Sequence, residues 1–128
     1  MVLLNDLYTI SNSELHEGNA VFNIRLNSGH FIYQAHFPGQ PITPGVCIIQ
    51  IAKELLEVYL KRDLQISQIR NVKFLSVLSP MNNKDVSYSL TKVCGDEETV
   101  TSLIFVTVGE SQYAKISLAC KQDARPGQ

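Results

Sequence analysis

The run VCIIQIAKELLEVYLK, residues 46–61, constrains the fold more than any other stretch of the chain. Its polar residues are Gln50, Lys53, Glu54, Glu57 and Lys61, spaced to form one stripe, and every other position is apolar. Thr43 can cap such a helix, Pro44 suits its first position, and no breaker follows until Asp63. Lys53–Glu57 and Glu57–Lys61 are i,i+4 pairs, worth about 0.2–0.5 kcal/mol each. The rest of the circumference has to be buried. A lone helix cannot do that, so its cover must come from elsewhere in the chain.

The flanking segments read as that cover. Residues 19–26, NAVFNIRL, place Ile24 and Leu26 on one face against Asn23 and Arg25, the alternation of a strand. Asn27-Ser28-Gly29 supplies a turn, and Phe31 to Tyr33 forms a short apolar run with His30 at a strand end. After the helix, β-like runs cover 66–78, 86–94, 100–108 and 113–120, broken by turn residues at 79–83, 95–98 and 109–111. The last two breaks are short enough for antiparallel hairpins. The expectation is an α+β domain over residues 1–128, a curved antiparallel sheet wrapped around one long helix, with a frayed polar tail at 122–128. Such a sheet leaves the far side of the helix and its own edge open. A dimer would close both.

Composition removes several function classes. A net charge of −1 and scattered Lys and Arg give no field for nucleic acid. Cys47, Cys94 and Cys120 form no CxxC pair, so neither a zinc site nor a disulfide framework is expected, and buried reduced thiols in a cytoplasmic protein fit better. The opening MVLLNDLYTI lacks the basic start and long apolar core of a signal peptide. No apolar run approaches the roughly 18 residues of a membrane span.

The loop before the helix carries the chemistry. HFPGQPITPGV, residues 36–46, sets a histidine nine positions before Gly45 in a segment stiffened by Pro38, Pro41 and Pro44. A helix N-terminus presents unpaired N–H groups and the positive end of the macrodipole. Gly45 has no side chain to keep a ligand oxygen from its N–H, a geometry suited to negative charge growing on a carbonyl. A neutral imidazole beside it, His36, is what abstraction of a proton α to a carbonyl needs. From the residues alone, a hydrogen-bonded loop or core histidine stays open as the alternative.

His36-Phe37-Pro38-Gly39, Pro41 and Pro44-Gly45-Val46 resemble the signature of the 3-hydroxyacyl-(acyl carrier protein) dehydratases of the FabZ/FabA type. Eight fixed residues at fixed spacing arise by chance less than about once in ten million from average residue usage, so the resemblance is specific. It extends from about Val21 to Cys120, taking in FIYQAHFPG and IRNVKFLSVLSP. It implies a hotdog fold and pairing of protomers through sheet edges. The implied substrate is a (3R)-hydroxyacyl thioester of acyl carrier protein or coenzyme A, dehydrated to the trans-2-enoyl thioester without metal or organic cofactor. It implies that His36 removes the α-proton and that the Gly45 N–H polarises the thioester carbonyl. Phe37, Gly39 and Val46 belong to the same substrate-binding loop, and the acyl chain lies in a tunnel at the dimer interface.

One position departs from the family. The carboxylate expected fourteen residues after the histidine is replaced by Gln50, and a primary amide can hydrogen-bond but cannot act as an acid. Losing an acid catalyst costs about 10²- to 10⁴-fold in rate. Gln50 can assist weakly while His36 serves both proton steps. Glu54, one turn along, can substitute, although about 6 Å of axial displacement makes it a poor replacement, and a solvated or i,i+4-paired role is the plainer reading. Alternatively, because the family takes histidine and carboxylate from different subunits, a heterodimer with a carboxylate-bearing homologue would complete one site around His36. A homodimer would hold two sites of His36 facing Gln50. A hotdog thioesterase is a further reading.

Other residues carry less. His30 is too far from His36 for a metal pair and reads as a surface histidine, and His16 reads as exposed. Cys47 sits in the first helical turn, where the dipole can lower a thiol pKa, although a buried, inert thiol is the plainer reading. Phe74, Leu75 and Val77 are candidates for the acyl tunnel or for ordinary core.

Overall fold

The computed structural model describes residues 2–35, 39–81 and 85–123. In chain order the elements are β1 (Tyr8–His16), β2 (Asn19–Leu26), α1 (Ile32–Ala35), α2 (Gly45–Leu60), β3 (Leu64–Phe74), β4 (Asp85–Gly95), β5 (Thr99–Val108) and β6 (Ser111–Gln122). The strands form one sheet in the order β1-β2-β4-β5-β6-β3, with every neighbouring pair antiparallel.

Dimensions explain why the sheet wraps the helix. At 1.5 Å per residue α2 is about 24 Å long and about 10 Å across. The longest strand runs about 40 Å, and five interstrand spacings give a width of about 24 Å. A sheet more than twice as wide as the helix covers it by curling. Its inner face follows strict alternation: Phe22, Ile24 and Leu26 on β2, then Ala114, Ile116 and Leu118 on β6, are all buried. From α2 they meet Ile48, Ile51, Leu55 and their buried neighbours. The Tyr88 hydroxyl, buried inside the wrap, donates to the Ile48 carbonyl at 3.0 Å.

The helix ends differ from the sequence reading. Pro44, not Thr43, is the N-cap, and no side chain bonds the cap amides. Thr43 is buried and its hydroxyl pairs instead with the Tyr33 hydroxyl at 2.9 Å. Of the two helical ion pairs, Lys53 Nζ meets Glu57 Oε1 at 3.1 Å. The other Glu57 oxygen accepts from the Leu64 N–H at 2.8 Å, while Lys61 turns into the left-handed C-cap at φ 56.

The short run around Phe31 forms the single turn α1 rather than extended chain, because Tyr33, Gln34 and Ala35 donate to backbone carbonyls three or four residues back. β1 has no counterpart in the sequence reading. It is an edge strand with only Tyr8 fully buried, so no apolar alternation marks it. β3 ends at Phe74, and the next residues turn towards α2, where Leu78 is buried and its carbonyl accepts from the Thr43 N–H at 2.8 Å. Of the tail expected to fray, Gln122 and Asp123 are tied by their N–H groups to Glu98 and Asp63 carbonyls, and residues 124–128 lie outside the described residues.

Lys61 holds a backbone conformation that costs a non-glycine residue about 1–2 kcal/mol. Lys61→Gly should therefore raise stability by about 0.5–1 kcal/mol, the strain relief being offset partly by glycine's larger unfolded-state entropy. Thermal unfolding should show a midpoint higher by a few degrees.

Candidate active site around the α2 N-terminus and Gln50

The chain is held firmly on both sides of the histidine loop. On the near side, the His30 ring is buried, and its Nδ1 accepts from the Ile32 N–H at 3.0 Å, which starts α1. An accepting Nδ1 puts the ring proton on Nε2, which faces Asp6 Oδ2 at 3.2 Å. The ring stacks on Phe31 with centroids 4.7 Å apart. His30 is thus an internal brace, not the surface histidine expected. One turn later the Tyr33–Thr43 hydroxyl pair joins α1 to the residues entering α2. Burial pushes the Tyr33 hydroxyl above the ordinary tyrosine value, with the Thr43 bond partly opposing it, so it remains a neutral hydroxyl. His36 and Phe37 lie between these anchors and outside the described residues.

On the far side Gly39 is exposed at φ 89, a left-handed conformation that favours glycine. Gly39, Gln40, Pro41 and Ile42 form one wall of a groove of about 460 Å³, and Val77, Ser79 and Met81 form the other. Where α2 begins, Cys47 and Ile48 donate to the Pro44 carbonyl, and the Gly45 and Val46 amides precede the first possible intrahelical bond. Val46 is 70% exposed. A Cβ on Gly45 would lie 2.9 Å from the tip of the Phe74 ring. The glycine therefore serves packing as well as access to its N–H. Phe74, Leu75 and Val77 are each about half exposed, not core, and they lie at and just beyond the end of β3, where the Leu75 N–H still donates to the Tyr113 carbonyl of β6 at 2.8 Å.

Gln50 lies on a different groove, of about 690 Å³, shared with Lys53, Glu54 and Glu57 of α2 and with the N-terminal segment and the start of β3. No described residue lines both grooves. Gln50 Nε2 donates to Glu54 Oε2 at 2.9 Å. Glu54 is 4% exposed, so of the two roles expected for it the solvated one does not hold, whereas the i,i+4 pairing does, with Gln50 as the partner. Its Oε2 also accepts from the Leu3 N–H at 2.8 Å, and Oε1 accepts from the Leu4 N–H at 2.8 Å and the Tyr8 hydroxyl at 3.0 Å. Burying a carboxylate costs several kcal/mol; four donors at about 1.5–3 kcal/mol each offset it. With both oxygens engaged by donors, Glu54 is poorly placed to replace an acid at position 50. The i,i+4 spacing from Gln50 was visible in the sequence, whereas the partners at Leu3, Leu4 and Tyr8 were not.

Burial raises the Cys47 thiol, so the helix dipole does not activate it. Burial also pushes Cys120 up to about 11, while Cys94 is exposed. Among the described residues, no group of three or more His, Cys, Asp or Glu side chains is gathered for a metal ion. No helix among them is long and apolar enough to cross a membrane.

A helix end facing a stiffened loop, inside a six-stranded antiparallel wrap, defines a hotdog-fold protein. Residues 12–115 match the ApeI-like family, described as ApeI dehydratase, and the chain belongs to that family. Over 88 residues, 59% of this chain, it is 33% identical to the 3-hydroxyacyl-(acyl-carrier-protein) dehydratase FabZ of Wolbachia pipientis wMel. That match takes in 56% of the relative, so the chain spans little more than half the length of the curated relative it matches. The dehydratase heterocomplex ApeI:P from Xenorhabdus doucetiae superposes with a TM-score of 0.72 at 18% identity, covering 88% of this chain and 96% of that one. A hypothetical thioesterase with coenzyme A from Streptococcus pneumoniae TIGR4 superposes at 0.64 and 12% identity, covering 91% and 85%. At these identities the two likenesses are of fold alone.

Two outcomes check this local structure. Thr43→Val removes the partner of a buried hydroxyl and should cost about 1–3 kcal/mol in denaturant unfolding. A disulfide reagent at pH 8 should modify Cys94 alone in the folded protein, and Cys47 and Cys120 only after unfolding.

Proposed function

We propose that the chain dehydrates (3R)-hydroxyacyl thioesters, delivered on acyl carrier protein or coenzyme A, to trans-2-enoyl thioesters. The observation that carries this reading is the dehydratase-type loop 36–46, anchored by the Tyr33–Thr43 bond, running into a helix whose first amides have no intrahelical acceptor. Membership of a dehydratase family supports it. Neutral His36 takes the proton from the carbon next to the thioester carbonyl. The Gly45 N–H receives the charge that develops on the carbonyl oxygen. The electron pair forms the carbon–carbon double bond as the C3–oxygen bond breaks, and the hydroxyl leaves as water with the proton now on His36. Phe37, Gly39 and Val46 bound the thioester arm in this reading. In register, Lys73 lies opposite Lys115 at the strand end carrying Phe74, a basic pair that suits an anionic carrier.

A specific observation favours an assembled form of the same chemistry. Gln50 and residues 39–42, the described stretch that follows the histidine, border separate grooves, which supports a reading in which the site is assembled between chains. A fold neighbour is itself a dehydratase heterocomplex. In this form the chain supplies His36 and Gly45 to a site whose acid comes from a carboxylate-bearing homologue.

Purified protein should form enoyl absorbance from a short (3R)-hydroxyacyl thioester, alone or after mixing with such a homologue. His36→Ala should lower the rate by about 10²-fold or more. Gln50→Glu should raise it, because a carboxyl introduced within reach of Glu54 keeps its proton towards neutral pH. Silence of all these proteins, with and without the homologue, would remove the dehydratase reading and turn attention to thioester hydrolysis.

A further inference from the structure

The bonds around His30 reach further than the start of one helical turn. Three links run in sequence from the N-terminal turn to the mouth of α2. The first is Asp6, whose Oδ2 faces His30 Nε2 at 3.2 Å and whose carbonyl accepts from Asn27 Nδ2 at 2.9 Å. Asp6 is itself held, since its N–H and that of Leu7 donate to the Leu3 carbonyl. The second link is the ring. Its Nδ1 accepts from the Ile32 N–H at 3.0 Å, and the His30 carbonyl accepts from the Tyr33 N–H at 3.2 Å. His30 therefore stands where a helix cap stands, with an imidazole lone pair in place of the usual Asp or Ser oxygen. The third link is the Tyr33 hydroxyl on Thr43, two positions before Gly45. With only four residues, α1 has too few internal bonds to fix its own direction. That direction comes from its two attachments, the cap at residue 30 and the hydroxyl pair at residue 43.

We propose that His30 is a positioning residue: the lone pair on its Nδ1 sets α1, and α1, through the Tyr33–Thr43 bond, sets where the Gly45 amide points. This rests on the dehydratase reading, in which that amide receives the charge developing on the thioester carbonyl. What position 30 needs is then an acceptor. The stack on Phe31 supplies packing, but packing alone leaves the Ile32 N–H without a partner. Asp6 is the outer member of the device. By taking the proton on Nε2 it leaves Nδ1 free to accept. A displacement of about 1 Å at a catalytic donor is enough to cost about 10²-fold in rate, so a cap remote from the chemistry can govern turnover.

The test uses the full chain, with the carboxylate-bearing homologue present if activity requires it. His30→Phe keeps a ring for the stack on Phe31 and removes the acceptor. His30→Asn removes the ring and keeps an acceptor suited to a cap. For a short (3R)-hydroxyacyl thioester, kcat/KM should fall about tenfold or more in His30→Phe and stay within about threefold of native in His30→Asn. The opposite order is what a packing role predicts, and it would overturn the proposal. Tyr33→Phe cuts the link to Thr43 and should cost about as much as His30→Phe. The double variant should cost no more than either alone, whereas a loss equal to the product of the two would overturn the route through Tyr33. A second readout does not need turnover. In ¹⁵N-labelled native protein His30 Nδ1 should appear as the unprotonated nitrogen of a neutral ring. The Gly45 amide signal should move in His30→Phe and in Tyr33→Phe and stay near its native position in His30→Asn. If the native protein dehydrates nothing, the dehydratase reading fails, and the Gly45 signal still decides whether His30 sets the helix mouth. An unmoved Gly45 signal in His30→Phe overturns that role, and the same signal decides the matter if His30→Asn fails to fold.

Discussion

Everything in this molecule depends on hiding one helix. α2 buries Cys47, Ile48, Ile51, Ala52, Leu55 and Leu56, and a surface that broad cannot be covered by one flat neighbour. The six-stranded sheet answers by curling, and the strand order follows from it. β1 and β3 become the margins, and β4, β5 and β6 carry the long inner face. Polar residues of α2 collect on the side where the N-terminal segment and the start of β3 border an open groove. Gln50 is found there because that is where the wrap is open.

The same constraint places the chemistry. A helix that enters the wrap at one end must expose its first amides at the rim, and the loop that feeds it has to run along that rim. Two internal bonds hold the loop: the His30 ring starting α1, and the Tyr33–Thr43 hydroxyl pair fastening α1 to the approach to α2. Both are short-range in space and use buried polar atoms. A glycine and three prolines then have little freedom left to restrict. The stiffness of the segment arises as much from these bonds as from its composition.

What could be read from the chain followed from how completely each element is buried on one face. β2 and the inner faces of β4, β5 and β6 alternate because each packs a single side against α2, and the helix stands out because nearly all of it is covered. β1 escaped notice since water reaches both its faces beyond Tyr8, and β3 was drawn too long since two bulges break its alternation and Leu78 belongs to a different packing layer. At the candidate site, the motif marked the loop, Gly45 and Gln50 by spacing alone. For Glu54 the i,i+4 pairing with Gln50 was legible, but its burial was not, because its other partners are two backbone amides and a tyrosine far away in sequence, and such contacts leave no periodic trace. Thr43 carried the composition of a cap, but a buried tyrosine hydroxyl competed for it.

Phe74 has a consequence for how this protein tolerates change. Its backbone belongs to the last residue of a marginal strand, and its ring rests on the α-carbon of Gly45 at the mouth of the helix. Strand margins accept substitutions readily, since one side has no hydrogen-bonding neighbour to disturb. Here that tolerance is borrowed against the helix mouth. A change anywhere along β3 that slides or twists its end carries an aromatic ring across the glycine amide. Variation at the periphery of the sheet is therefore transmitted, by one side chain, to the amides at the start of α2.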